Sequence, residues 1–325
     1  MLREQILRIL SKGQFVSGQA LGDELNVTRA AIAKHIKAIN EMGLEVYSVK
    51  GKGYKLSQPL ALLDKSKIEA YLSPLKTNGS IDLHSIIDST NSFLMRKLPQ
   101  HVNHGDVCIA EYQSDGRGRR GREWVSPFGS HLYLSMYCSL EQGLNAAMGL
   151  SVAIALAIHD AIKAVTGESV ELKWPNDVYW QGKKLAGILI ELEGQPLEPS
   201  HAVIGVGLNI SMPEKSQTNI DQPWSDLSQF TKSLDRNVMA AQLISCMQRR
   251  IAEHQHSGLD NMVERWNMLD CFIDKNVRII SANKEIVGVC RGIDNNGALL
   301  LEVNGVNQTI YGGEVSLRGH SDPTC

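Results

Sequence analysis

The chain has 325 residues, 43% hydrophobic and 21% charged, which supports two or three folded domains and excludes a disordered or fibrous protein. The six cysteines (Cys108, Cys138, Cys246, Cys271, Cys290 and Cys325) have no zinc or redox spacing and suit reduced thiols in a cytoplasmic setting. The net charge of −2 is unevenly spread: residues 1–60 hold nine Lys and Arg against five acids, a net of +4, which leaves −6 for the remainder. A basic head on an acidic body predicts that the head meets a polyanion.

Met1 to Ile6 is charged and amphipathic and does not read as a secretory signal. Ser17 is placed to cap a short helix that includes Gln19 and ends near Leu25. Asn26-Val27 then breaks the chain, and Thr28 caps a second helix running to about Met42. Ile32, Ile36 and Ile39 share one face of that helix, while Arg29, Ala30, Ala33, Lys34 and Lys37 share the other. Small residues among cations allow close approach to a DNA groove, with the cations on phosphates. Two short strands follow, joined by Lys50-Gly51-Lys52-Gly53, so the whole reads as a winged helix-turn-helix with a basic wing. A winged helix used only for protein contacts is the alternative.

In the body, the apolar run Ile86-Ile87 ends in Asp88-Ser89-Thr90-Asn91-Ser92. These small polar residues can cap a helix through Phe93, Leu94 and Leu98, and can also grip a polar ring. A strand, Val107–Ala110, precedes Gln113 and the block Gly116-Arg117-Gly118-Arg119-Arg120-Gly121-Arg122, with Trp124 after it. Glycines permit close backbone approach, and arginines suit phosphate and carboxylate. A strand over 132–136 follows. The apolar run 146–158 is too short to span a bilayer and reads as a core helix, so no membrane association is expected.

Lys173-Trp174-Pro175-Asn176-Asp177 reads as a strand and turn carrying one amide and one carboxylate. Asp177 could hold magnesium, orient a nucleophile, or merely satisfy backbone amides. Lys184 enters an apolar strand beside Ala186 and Gly187, where it can point into a pocket. Val203 to Ile210 is a strand with Gly205 and Gly207 on one face, which leaves room for a flat ring. It lacks the third glycine and helix of a dinucleotide fingerprint. Residues 211–224, with Pro213 and Pro223, read as a flap. Short strands over 276–280, 286–293, 298–303 and 308–311, with turn signals Asn296-Gly297 and Asn304-Gly305, predict a small β unit closed by Gly313 to Arg318.

In order and spacing, DSTN, QSDGRGRRGREW, KWPND with GKKLAGILIE, and IGVGLNI resemble the biotin protein ligases. The winged head resembles the bifunctional members, which also repress the biotin operon. The resemblance implies an α+β chain in three parts. They are a winged helix-turn-helix (1–60), a linker (61–80) and a class II synthetase-like mixed-sheet catalytic domain (81–270) with a helix over 144–165 across one face. A small SH3-like β-barrel (271–325) completes the chain. It implies that biotin and ATP give biotinyl-5′-adenylate, with transfer to a lysine of the biotin carboxyl carrier protein of acetyl-CoA carboxylase. The adenylate would act as corepressor on operator DNA, with homodimerisation on ligand and DNA binding.

By the same resemblance, Ser89, Thr90, Asn91, Gln113, Arg117, Gly118, Arg119, Lys184, Gly205 and Gly207 serve biotin. Arg117, Arg119, Arg120, Arg122, Trp124, Asn176, Lys184 and Asn209 serve ATP and the adenylate. Lys184, Arg119 and Asp177 are the catalytic candidates, and Asp177 the candidate for Mg2+. Asp115 departs from the small residue expected before the glycine block. Three other readings share many of these residues: a lipoate ligase with the same core, a regulator that senses a ligand without catalysis, and a ligase with a vestigial head.

Overall fold

The computed structural model describes residues 2–58, 60–213, 222–281, 284–312 and 316–319. The head holds α1 (Leu2–Leu10), α2 (Gly18–Glu24) and α3 (Arg29–Glu41). Ser17 Oγ accepts the Ala20 amide at 3.0 Å and Thr28 Oγ1 the Ala31 amide at 3.2 Å. Such caps are each worth about 1 kcal/mol. Asn26, at φ 54°, makes the tight break between the helices. Ile32, Ile36 and Ile39 pack on Ile6, Leu7, Leu10 and Leu21 in one apolar core. The wing is the antiparallel pair β1 (Val46–Val49) and β2 (Gly53–Leu56). A Cβ at Gly53 would lie 2.2 Å from Val16 O, at a φ of +100°, so that position requires glycine.

Residues 61–80, expected as a linker, contain α4 (Lys65–Leu72), whose Ile68 and Leu72 enter the body's core. The short amphipathic stretch gives a weak periodic signal, and its docking decides the outcome. A seven-stranded sheet follows, in the order β3-β4-β5-β9-β8-β7-β6. Its strands are β3 (Ile81–His84), β4 (Val107–Ala110), β5 (Leu132–Leu140), β6 (Glu171–Lys173), β7 (Asp177–Trp180), β8 (Lys183–Glu193) and β9 (Ser200–Leu208). The β3–β4 pair is parallel and every other pair antiparallel, so the sheet is mixed.

Between these strands lie α5 (Thr90–Met95) and α6 (Leu150–Thr166). The single helix expected over 144–165 is broken: a 3-10 turn, Leu144–Ala147, precedes Gly149, which starts α6 at φ +76°. A Cβ there would lie 2.6 Å from Leu259 Cδ1, so the break accommodates a close contact. The apolar segment 144–166 is mostly buried inside the protein, as a core helix.

Strand alternation sorts the two sheet faces. Leu132, Leu134 and Met136 of β5, with Ile204, Val206 and Leu208 of β9, join α6 in the main core. The helix α7 (Arg236–Ser257) contributes Met239, Leu243, Met247 and Ile251 to the same core, followed by α8 (Val263–Leu269). Ser135, Gly205 and Gly207 fall on the opposite face, where the site forms.

The C-terminal unit is a five-stranded antiparallel sheet in the order β13-β12-β11-β10-β14. Its strands are β10 (Asn276–Ser281), β11 (Lys284–Ile293), β12 (Leu299–Val303), β13 (Val306–Ile310) and β14 (Ser316–Gly319). Asn304 and Gly305, at φ 53° and 79°, form the turn expected of that pair. Gly313, Glu314 and Val315, read as part of the closing segment, lie outside the described residues. Trp174 Nε1 donates to Gly297 O at 3.0 Å and joins this unit to the catalytic sheet.

The head docks on the body through Phe128, 1% exposed, which enters the head's core while its amide donates to Met42 O at 3.1 Å. Nearby, Arg236 pairs with Glu111 at 2.7 Å and donates to Ala61 O and His131 O. Both charges are almost fully buried, and the pair anchors the connector to the body.

Candidate active site

A cavity of about 400 Å³ opens on the sheet face opposite α6. All sixteen body residues expected to serve biotin, ATP or catalysis line it, from Ser89, Thr90 and Asn91 through the arginine block to Lys184, Gly205, Gly207 and Asn209. They come from the α5 N-terminus, the loop after β4, the turn into β7 and its first residue, strand β8, and β9 with the residue that follows it. Lys173 of the KWPND run and Leu317 and Arg318 of the closing segment also line it, together with Leu189, Met212, Gln222 and Trp224, which were not among the expected site residues. Most of these are apolar or distant in sequence, and only the closing of the sheet and the C-terminal unit brings them in.

At one end, Ser89 caps α5 as expected, accepting the Ser92 amide. The Thr90 amide donates to Gln113 Oε1 at 2.9 Å, and Ser135 Oγ lies 2.7 Å from Thr90 Oγ1. Asn91 is fully engaged with protein: Nδ2 donates to Leu189 O at 3.3 Å and Glu191 Oε2 at 2.8 Å, and Oδ1 accepts from Ser135 at 2.5 Å. Arg117 donates to Ser92 Oγ at 2.7 Å and to both oxygens of Glu191 at 2.9 and 3.1 Å.

The glycine block forms a tight hairpin: Gly118 N donates to Arg122 O at 2.7 Å and Trp124 N to Gly116 O at 2.8 Å. A Cβ at Gly116 would lie 2.7 Å from Ser126 Oγ, so this closure needs glycine. Arg120 adopts the left-handed region at φ 59°. Arg119 donates to Asn176 Oδ1 at 2.9 Å, and Asn176 Nδ2 donates to Ile188 O at 2.6 Å. Burial draws the Arg119 guanidinium below its ordinary pKa, with the Asp177 charge opposing that shift.

Lys184 Nζ lies 2.7 Å from Asp177 Oδ1 and 5.4 Å from the Trp124 ring centroid. A register shift between β7 and β8 sets this approach. The far arm of the expected flap pairs with Lys184: its amide donates to Pro223 O at 3.0 Å, and Ser225 N donates to Lys184 O at 2.8 Å. Residues 214–221 of that flap lie outside the described residues.

Protein side chains take the space at the two strand glycines. A Cβ at Gly205 would lie 2.3 Å from Asn91 Oδ1, and one at Gly207 would lie 2.5 Å from Trp124 Cε2. The flat ring placed against Gly207 is thus the Trp124 indole. Its Nε1 is buried and has no hydrogen-bond acceptor among the described residues, leaving a donor for a bound group.

In the head, Ser17, Gln19, Thr28, Arg29, Ala30, Ala33, Lys34 and Lys37 are exposed, as are Lys50 and Lys52 of the wing. Gln19 Nε2 donates to Asp23 Oδ1 at 2.7 Å, while the Ser17 and Thr28 hydroxyl oxygens serve as caps.

The chain thus carries a cation-lined cavity on a mixed sheet together with a winged helix-turn-helix. Residues 83–209 match the biotin/lipoate A/B protein ligase family, 2–55 an HTH domain, and 272–318 the biotin protein ligase C-terminal domain. The chain is 44% identical to the bifunctional ligase/repressor BirA of Salmonella typhimurium, over 96% of both chains. It is 43% identical to that of Escherichia coli, over 97% of this chain and 96% of the relative. The biotin protein ligase from Aquifex aeolicus in complex with biotin and ATP shares the fold. Its TM-score is 0.62 at 24% identity, over 74% of this chain and 99% of that one. The chain belongs to the bifunctional biotin ligase/repressor family.

Proposed function

We propose that this chain joins biotin to ATP as biotinyl-5′-adenylate, passes biotin to a carrier-protein lysine, and represses transcription through its winged head. A biotin carboxylate oxygen attacks the α-phosphorus of ATP, the new C–O–P anhydride forms, and pyrophosphate leaves. The neutral amine of the acceptor lysine then attacks the carbonyl carbon. An amide forms, AMP leaves with the bond electrons, and the amine proton passes to solvent. The acceptor is the biotin carboxyl carrier protein of acetyl-CoA carboxylase.

The observation that carries this reading is the placement of Lys184 and Arg119 in one cavity with Thr90 and Gln113. A carboxylate and a triphosphate repel each other, and two fixed cations at their meeting point lower that cost and the charge of the transition state. In this reading Asp177 holds the Lys184 ammonium, and Asn176 holds Arg119. Thr90, Gln113 and the glycine-block amides bind the ureido end. Trp124 faces the adenine side, with Arg117, Arg120 and Arg122 supporting the loop and Asn209 the nucleotide wall.

Magnesium would be held mainly by the phosphates of the triphosphate and would neutralise the leaving pyrophosphate. Among the described residues no three His, Cys, Asp or Glu side chains converge as a protein cage. An ion bound mainly by phosphates with one carboxylate, here Asp177, fits that donor set. Adenylate-dependent homodimerisation would place two heads on a two-fold operator, which binds far more tightly than one head. The reduced-thiol composition fits a cytoplasmic site for both activities.

Exchange of labelled pyrophosphate into ATP tests the first step. Exchange with biotin and none with lipoate is expected; exchange with neither, from folded protein with magnesium, would favour a ligand sensor without catalysis. An operator titration with and without biotin and ATP tests repression, and sedimentation with adenylate tests the dimer.

A further inference from the structure

The hydroxyl chain beside the cavity has too few protons for its contacts. Ser135 Oγ lies 2.5 Å from Asn91 Oδ1 and 2.7 Å from Thr90 Oγ1, yet it carries one proton. Thr90 Oγ1 lies a further 3.0 Å from Gln113 Oε1, which already accepts the Thr90 amide. Glu191 resolves the ambiguity, although it is not among the residues that line the cavity.

The Glu191 carboxylate and the Leu189 carbonyl only accept, so both Asn91 amide protons must face them. That orientation turns Asn91 Oδ1, also only an acceptor, toward Ser135. Ser135 therefore gives its proton to Asn91. The short contact between Ser135 and Thr90 then takes the Thr90 proton. Thr90 Oγ1 is left with lone pairs toward the cavity, beside the Gln113 Oε1 acceptor. Asn91, Thr90 and Ser135 are each at most 4% exposed, so water does not reset this order. Arg117, donating to both Glu191 oxygens, keeps the carboxylate in place.

We infer that Glu191 is a positioning residue that sets the proton direction along Asn91, Ser135 and Thr90, so that the biotin pocket presents acceptors to ligand N–H groups. This rests on the biotin-ligase reading above and adds a specificity determinant to it. A ureido ring, with its N–H donors, matches such a wall; an analogue with one ureido N–H replaced by oxygen does not.

Titration calorimetry of the full chain with biotin and with that oxygen analogue tests it. Glu191→Gln supplies an amide that can donate to Asn91 Oδ1, so Asn91 can turn over and the chain can reverse. Biotin affinity should fall about tenfold, the scale of one buried hydrogen bond of wrong polarity. Preference for biotin over the analogue should shrink, a change of selectivity that a general loosening of the Arg117 loop would not produce, while far-ultraviolet circular dichroism stays that of the parent. Glu191→Asp, still only an acceptor, should recover part of the preference. Ser135→Ala cuts the chain elsewhere, and its loss should be non-additive with Glu191→Gln.

Unchanged preference in Glu191→Gln, or additive losses in the double variant, would overturn the proposal. If the parent itself bound no biotin, the underlying reading would fail and the proposal with it, a result distinguishable by the control titration alone. Should Glu191→Gln not fold, the Glu191→Asp preference and the Ser135→Ala titration decide the matter.

Discussion

Lys184 and Asp177 meet across the β7–β8 pair, with Nζ 2.7 Å from Oδ1, in the same cavity as Arg119. The carboxylate holds the ammonium in the cavity wall, and the ammonium is the charge offered to an incoming anion. Lys184→Ala should therefore lower the rate of biotin-dependent pyrophosphate exchange by about a hundred- to a thousandfold, the scale of one missing preorganised charge. Far-ultraviolet circular dichroism should be unchanged. Exchange within a few-fold of the parent would remove Lys184 from the reaction.

Gly207 lies under the Trp124 indole. Gly207→Ala places a methyl 2.5 Å from the Trp124 Cε2, so the ring must move, at a cost of about 1–3 kcal/mol. Chemical denaturation should show that loss in the parent and a much smaller one in a Trp124→Ala background. Equal losses in both backgrounds would show that the clash lies elsewhere.

Lys34 and Lys37 lie on the exposed face of α3. Either one changed to Ala should weaken operator binding and lower the log–log salt slope by about one, because one DNA phosphate is no longer neutralised. Pyrophosphate exchange should not change. A variant that alters exchange and leaves the salt slope intact would contradict the assignment of this face to DNA.

His131 is fully buried, its Nδ1 accepts the Ile210 amide at 3.0 Å, and burial lowers its pKa to about 3. The unfolded chain takes up a proton near the ordinary histidine value, and the folded chain does not. Stability should therefore fall as pH drops from about 6.5 toward about 3, by up to about 1.4 kcal/mol per pH unit from this group. Melting temperatures at pH 7 and pH 5 measure it. His131→Gln should be less stable at neutral pH and show a weaker pH dependence; an unchanged dependence would mean that other groups dominate.

The head is legible in the sequence because its signals are local. Ser17 and Thr28 precede helices whose apolar spacing is short-range, and Gly51 and Gly53 mark the wing turn. The strand glycines and the arginine block are legible for the same reason. The long helix α7 is not, because polar residues interrupt its buried positions and nothing near it carries chemistry. The α4 segment reads as linker because eight residues with two core positions give little periodicity without their partner.

The sequence by itself determined the three-part organisation, the family resemblance and the set of residues that converge on the cavity. Each of these depends on residue type and on spacing within a few turns of chain. The tertiary structure decided which partner each side chain keeps. It placed Asn91 against Gly205, Trp124 against Gly207, Arg117 on Glu191, and Arg318 in the cavity wall. Those relations join residues far apart in the chain, and their directions depend on distances of a few ångströms that only the closed sheet defines.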